Sequence, residues 1–222
     1  MRISVVIAVR NGARFIAAAL DSVLAQTCAA DEILVVDGGS RDDSAAIAGG
    51  YERVRVIEQD GAGFAGAWDE GIAAAGGDVL ALLDSDDRWT PWKLACQAAL
   101  LEAEPAKDYV VGRVQHFLEP GVEPHPSFRR SLLDERPIAL MPGATLFRRA
   151  AFERVGPWAT RYAVAADIDW FARAKDVLGP PARVDELVLY KRLHDANLSL
   201  YEAGSLNREI LQLLRESVER RR

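Results

Sequence analysis

Cysteine is scarce in this chain: Cys28 and Cys96 are the only two in 222 residues, and neither sits in a CxxC or Cys/His spacing. That argues against a disulfide framework and a structural zinc site, and reads as two reduced thiols in a cytoplasmic protein. Long apolar runs are missing too. The run from Ile3 to Val9 stops at Arg10-Asn11, too short for a signal-peptide core, and no stretch approaches the roughly 20 apolar residues of a membrane span. Positive charge is in deficit, with 27 Lys and Arg against 33 Asp and Glu. No basic field is therefore available to gather nucleic acid, which is not an expected partner. A disordered tail is excluded as well, because 50% of the residues are hydrophobic, enough for one domain with a sizeable core.

What the chain does contain is an alternation of short apolar runs with helical patterns. Ile3–Val9 is apolar and β-branched throughout, as in a strand buried on both faces. Asn11-Gly12 breaks it, and Phe15, Ile16, Leu20, Val23 and Leu24 then fall at helical spacing. The unit repeats as a strand over Glu32–Val36, a turn at Asp37–Ser40 and a helix over Asp42–Ala48 capped by Ser40 or Asp42. A third strand, Val54–Glu58, precedes a helix from Phe64 to Ala75, and Val79–Leu83 makes a fourth. This predicts a doubly wound, mostly parallel α/β sheet flanked by helices, with its ligand beyond the carboxyl ends of the strands. Beyond Trp89 the pattern predicts helices over Pro91–Glu104, Arg149–Val155 and Asp167–Leu178, a last strand over Val184–Leu189, and an irregular region from Pro120 to Pro142. Residues 206–222 predict an amphipathic helix ending in three arginines, a candidate for peripheral contact with the inner face of a membrane.

Acidic residues follow the strands: Asp37 the second, Asp60 the third, and Asp84-Ser85-Asp86-Asp87 the fourth. Carboxylates so close together resist joint ionisation, and a divalent cation would relieve them. Mg2+ or Mn2+ suits such oxygen ligands, together with the oxygens of a diphosphate. Gly61-Ala62-Gly63-Phe64-Ala65-Gly66 is also a literal GxGxxG after a strand, which leaves a dinucleotide-dependent oxidoreductase as a rival reading.

The segments SVVIAVRNGARFIAAALDSVLAQ, EILVVDGGSRDDS and AWDEGIAAAGGDVLALLDSDDRWTPWKLACQ, with MPGATLFRRAAFERVGPW, AADIDWFARA and KRLHDANLS, resemble the ordered motifs of family 2 glycosyltransferases. The resemblance implies a GT-A fold over residues 1–205, with a nucleotide-sugar-binding half over 1–104, an acceptor-side half over 105–205, and the helix 206–222 appended. It implies inverting transfer of a sugar from a nucleoside diphosphate donor, on family average a UDP-sugar, to a glycan, lipid or other acceptor. Donor contacts would come from Ala8, Val9, Asp37, Asp60, Asp84, Ser85 and Asp86, with Asp84 and Asp86 as the DxD pair. Asp86 and His194 would hold Mn2+ or Mg2+. The resemblance makes Asp167 the general base; read without it, the residue is sooner a helix N-cap or first-turn acid favoured by the helix dipole.

The chain departs from the family's usual residues at Ala8, Arg10, Gly38, Asp69 and Ala166. Gly38 and Ala166 keep a second rival open, a homologue that binds nucleotide sugars without turnover.

Overall fold

The computed structural model describes residues 1–61, 63–124, 126, 128–197 and 203–220, without the side chains of 203–205, 207 and 217–220. Strand β1 (Ile3–Val9) lies inside the sheet, and its two faces feed two cores. Ile3, Val5, Ile7 and Val9 pack into one core and Val6 into the other, the period of two that a strand imposes. Helices α1 (Ile16–Leu24), α2 (Ser44–Gly49) and α4 (Lys93–Ala103) cover the first core. The other face carries α3 (Gly63–Ala74), α5 (Arg149–Val155), α6 (Ala166–Leu178) and Leu213 of α7 (Ala203–Arg220). Helix α3 comes close enough to the sheet that a Cβ on Gly71 would lie 2.3 Å from Val6 Cγ1.

The eight strands are ordered β3-β2-β1-β4-β7-β6-β8-β5, where β2 is Glu32–Asp37, β3 Val54–Glu58, β4 Val79–Asp84, β5 Arg88–Trp89, β6 Tyr109–Leu118, β7 Thr145–Arg148 and β8 Ala182–Leu193. β3, β2, β1 and β4 run parallel, β6 and β8 run parallel, and β7 and β5 are the antiparallel members. The expected mostly parallel sheet is therefore present, extended by strands that the alternation did not announce.

Several expected boundaries shift. α2 begins at Ser44 rather than Asp42, because the Asp42 carboxylate is outside the helix and accepts from Ser44 N (3.1 Å) and from Ala13 N (3.0 Å). α4 starts at Lys93, after a turn in which Lys93 N donates to Thr90 O (3.2 Å). β8 runs on to Leu193, four residues past the expected end, and β5, β6 and β7 are additions. Within 120–142, residues 130–133 form a short 3-10 turn. No described helix is long and apolar enough to cross a membrane. α7 lies on the domain through Leu213, with Leu211 and Leu214 exposed, and residues 221–222 of the expected arginine end are outside the described residues.

Candidate active site

Strand β4 ends at Asp84 and the chain reverses at once, Asp87 N donating to Asp84 O (3.1 Å). The turn after β1 packs against this reversal. Asn11 there adopts the left-handed backbone (φ 52°), and a Cβ on Gly12 would meet Val9 Cγ2 at 2.8 Å and Ser85 Oγ at 3.1 Å. A side chain at position 12 would therefore push the acidic turn away.

The charge problem posed by three clustered carboxylates is met by a lysine that sequence reasoning missed. Lys191 Nζ lies 3.0 Å from Asp84 Oδ2 and 3.0 Å from Asp87 Oδ2. Burial works against its charge, but Asp87, Asp84 and Asp86 outweigh that and hold it well above the usual lysine range. Asp87 is spent on structure, its Oδ1 accepting from Arg192 N (2.9 Å) while Arg192 Nε donates to Asp86 O (2.8 Å). The three carboxylates each offer an oxygen within 4.8 Å of the others, so the cluster could still hold the expected divalent cation, while β8 supplies a counter-charge of its own. The available signal was the period of two on β8, which places Lys191 in the cleft beside Leu189.

Asp86 faces the other way, onto His194. His194 Nε2 is 2.9 Å from Asp86 Oδ2, and Asn197 Nδ2 donates to the same oxygen (3.3 Å). Burial opposes ionisation of Asp86, yet Lys191 and the bond to His194 hold its carboxyl below the ordinary range. A backbone N–H, that of Ala196, points at His194 Nδ1 (3.2 Å), and Phe15 packs against the imidazole with ring centroids 4.5 Å apart.

These groups open on a cleft of about 460 Å³ at the carboxyl ends of β1 and β4. Ala8, Asp84, Ser85, Asp86, Asp167 and His194 line it, and so do Lys191, Phe64 and Trp68. Asp167 sits in the first turn of α6, where burial first and the charge of Asp84 second raise its carboxyl to about 6, against the pull of the Ile168 amide and Lys191. Its neighbour Asp169 is fully buried and bonded to Arg173 Nε (2.8 Å), a structural pair.

Three expected donor residues lie outside this cleft. Val9 is buried, and its carbonyl accepts from Gly38 N (2.8 Å). Asp37 turns its carboxylate onto its own turn, accepting from Ser40 N (3.1 Å) and Ser40 Oγ (2.5 Å). Asp60 is exposed. Its amide and that of Gly61 are taken by the Glu70 carboxylate (2.9 and 2.8 Å), so the opening of the glycine run is already occupied from within.

Comparison with known proteins follows the same lines. Residues 4–156 match the family described as Glycosyl transferase family 2. An uncharacterized glycosyltransferase of Nostoc sp. is 40% identical over 122 residues, covering 53% of this chain and 37% of that protein. One of Rickettsia typhi is 30% identical over 211 residues, covering 87% and 64%. The chain thus spans less than two thirds of either protein. A PGL/p-HBAD biosynthesis glycosyltransferase of Mycobacterium bovis is 30% identical over 221 residues, covering 94% of this chain and 80% of that one. Among solved structures, S. aureus TarS in complex with UDP-GlcNAc superposes with a TM-score of 0.69 at 18% identity, covering 89% of this chain and 60% of that one. Glucosyl-3-phosphoglycerate synthase from Mycobacterium tuberculosis, in complex with Mn2+ and UDP-glucose, gives 0.70 at 22%, covering 97% and 78%. At such identities the likeness speaks for the fold, which is GT-A. With a family match over most of its length and a relative covered along four fifths of its own, the chain belongs to glycosyl transferase family 2.

Proposed function

We propose that the cleft binds a nucleoside diphosphate sugar, a UDP-sugar, and passes the sugar with inversion to an acceptor that enters from the side of residues 105–205. The observation that carries this reading is the placing of Asp167 on the same cleft as Asp84, Asp86 and His194. A carboxylate raised to about 6 ionises readily near neutral pH yet remains basic enough to take a proton from an acceptor hydroxyl. TarS with UDP-GlcNAc and the glucosyltransferase with UDP-glucose support the choice of donor.

The residues present suit a divalent ion. Asp84, Asp86 and Asp87 offer carboxylate oxygens within 4.8 Å of one another, and His194 Nε2 lies 2.9 Å from Asp86 Oδ2, a donor set that would suit a hard divalent cation. His194 would ligate through Nε2, its proton moving to Nδ1 at the expense of the contact with Ala196 N. Asp86 and His194 would hold Mn2+ or Mg2+, which when bound would supply Lewis-acid stabilisation of the diphosphate leaving group.

The remaining steps belong to the chain's own residues. Lys191 keeps Asp84 and Asp87 in place, leaving Asp86 turned to His194. Ala8 and Ser85 line the donor's part of the cleft. Asp167 accepts the acceptor's proton as the hydroxyl oxygen attacks the anomeric carbon from the face opposite the diphosphate, and the bond to the diphosphate breaks.

Titration calorimetry of UDP with and without Mn2+, on the wild type and on Asp86→Ala, tests the donor site. Binding that needs Mn2+ and is lost in Asp86→Ala is expected. No binding of UDP by the wild type in either condition overturns the reading.

A further inference from the structure

Helix α6 carries Asp167 but has no cap of its own. Its N-cap is Ala165 and its first residue Ala166, and no side-chain bond closes that end. The turn leading into it is instead held from α7, more than 40 residues further along the chain. One oxygen of Glu209 accepts from Ala163 N (2.9 Å), and the other from Val164 N (3.0 Å) and Ala165 N (2.8 Å). Those three amides hold Glu209 below the ordinary glutamate range despite the cost of its partial burial. On the same helix Leu213 is buried, and Glu216 reaches Tyr162 Oη (3.1 Å) and Arg161 (2.8 Å). The wall formed by Val164 and Asp167 is therefore fastened to α7 from behind.

Three successive amides at a helix start form an anion-binding nest. Of the two acids in the first turn of α6, Asp167 is the one the emptied amides would draw. Asp169, the other acid of that turn, is committed to Arg173. Asp167 already leans toward the backbone, its Oδ1 accepting from Ile168 N (2.8 Å).

We infer that Glu209 is a positioning residue for Asp167: by filling the amides that open α6, it keeps the Asp167 carboxylate presented to the cleft. The inference rests on the reading of Asp167 as the base. The charged groups facing Asp167 are Asp84 from β4 and Lys191 from β8, with Glu209 from α7 behind it. Loss of the Glu209 charge removes one like charge and exposes amide donors, and both changes favour ionised Asp167.

The test is a carboxyl-carbon NMR titration of the full chain labelled at aspartate, with the Asp167 signal assigned by its loss in Asp167→Asn. The wild-type midpoint is expected near 6. Glu209→Gln, which keeps an acceptor oxygen, is expected to lower it by about half a unit to one unit, the size of one nearby charge at a protein site. Glu209→Asp keeps the charge on a shorter arm and is expected to shift it less. Glu216→Gln, which loosens the same helix farther from Asp167, is expected to leave it unmoved. No shift in either Glu209 variant, or an equal shift in Glu216→Gln, overturns the inference. UDP calorimetry on the wild type is read separately, so a failed donor site is distinguished from a failed role for Glu209.

Discussion

Lys191→Met deletes one charge while keeping the length and apolar stem of the side chain, so it isolates what the ammonium does. In the wild type the ammonium bridges Asp84 and Asp87 at 3.0 Å each, and the Asp87 side chain is only 1% exposed. Of the groups that hold Asp87, the variant leaves the Arg192 amide bond. Breaking a buried pair by removing one partner costs about 3–5 kcal/mol, and Asp87, which burial already raises well above the ordinary carboxylate range, is then left either charged without a partner or obliged to take up a proton. Against a total stability of about 5–15 kcal/mol that is a fifth or more of the whole. An exposed cation makes the contrast. Arg14 reaches Glu119 and Asp195 at 3.4 Å each with its side chain 51% exposed, and such pairs are worth under about 1 kcal/mol.

The assay is urea unfolding at pH 7 in metal-free buffer, followed by circular dichroism. With a slope of about 2 kcal/mol per molar, Lys191→Met is expected to lower the midpoint by about 2 M and Arg14→Ala by less than about 0.5 M. Should Lys191→Met unfold within that smaller margin of the wild type, the acidic turn is a solvated loop end, and the lysine is not what holds it.

Two further outcomes follow from carboxyls displaced upward. The rate of sugar transfer, or of donor hydrolysis without acceptor, is expected to rise with pH through about 6 and then level, since the proposed base Asp167 would act only when deprotonated. Asp167→Asn is expected to lower the rate about 10²- to 10⁴-fold with UDP binding by calorimetry unchanged; a fall under threefold removes Asp167 from the chemistry. Asp69 is raised to about 6 by burial, against the Trp158 amide and Arg173. Its folded value thus lies above its unfolded one near 3.9, so the stability it contributes is present at pH 4 and lost as pH rises through 6. Asp69→Asn keeps an acceptor for Trp158 N and is expected to gain about 1–2 kcal/mol over the wild type at pH 8 and nothing at pH 4, the figure reduced because Asp69 is only half-buried. Thermal unfolding at the two pH values reads the difference, and an equal gain at both refutes the linkage.

β1, β2 and β4 were legible because each carries a continuous apolar run between turn residues, a pattern that burial on both faces demands, and the edge strand β3, VRVIE, because its β-branched residues stand between turns. β6, β7 and β5 were not. The outer half of β6, with Arg113, Gln115 and His116, is only half-buried and carries no apolar run. β7 has four residues and β5 two, too short for any period to register. Their pairing is decided by neighbours distant in sequence, as where Arg88 and Trp89 meet Tyr190 and Leu189.

The site divides along the same line. Ala8, Asp84, Ser85 and Asp86 lie at the carboxyl ends of β1 and β4 or just past them, and a doubly wound sheet brings strand ends together whatever its loops do. Asp37 and Asp60 also follow strands yet stay out of the cleft, because one carboxylate is consumed by Ser40 and the other residue hangs outward beside Glu70. Lys191, Arg192 and Glu209 escaped notice for a different reason. Each is a charged residue whose place is fixed by a counter-charge or a bare amide across the fold, more than 100 positions away for Lys191 and about 45 for Glu209. A sequence displays the acids of a cluster side by side and hides the cations that make the cluster affordable. Three adjacent aspartates behind a buried strand therefore call for a counter-charge without saying which. Here most of that demand is met by a lysine on the far strand, and the share left at Asp86 and His194 is what a metal and a diphosphate would answer.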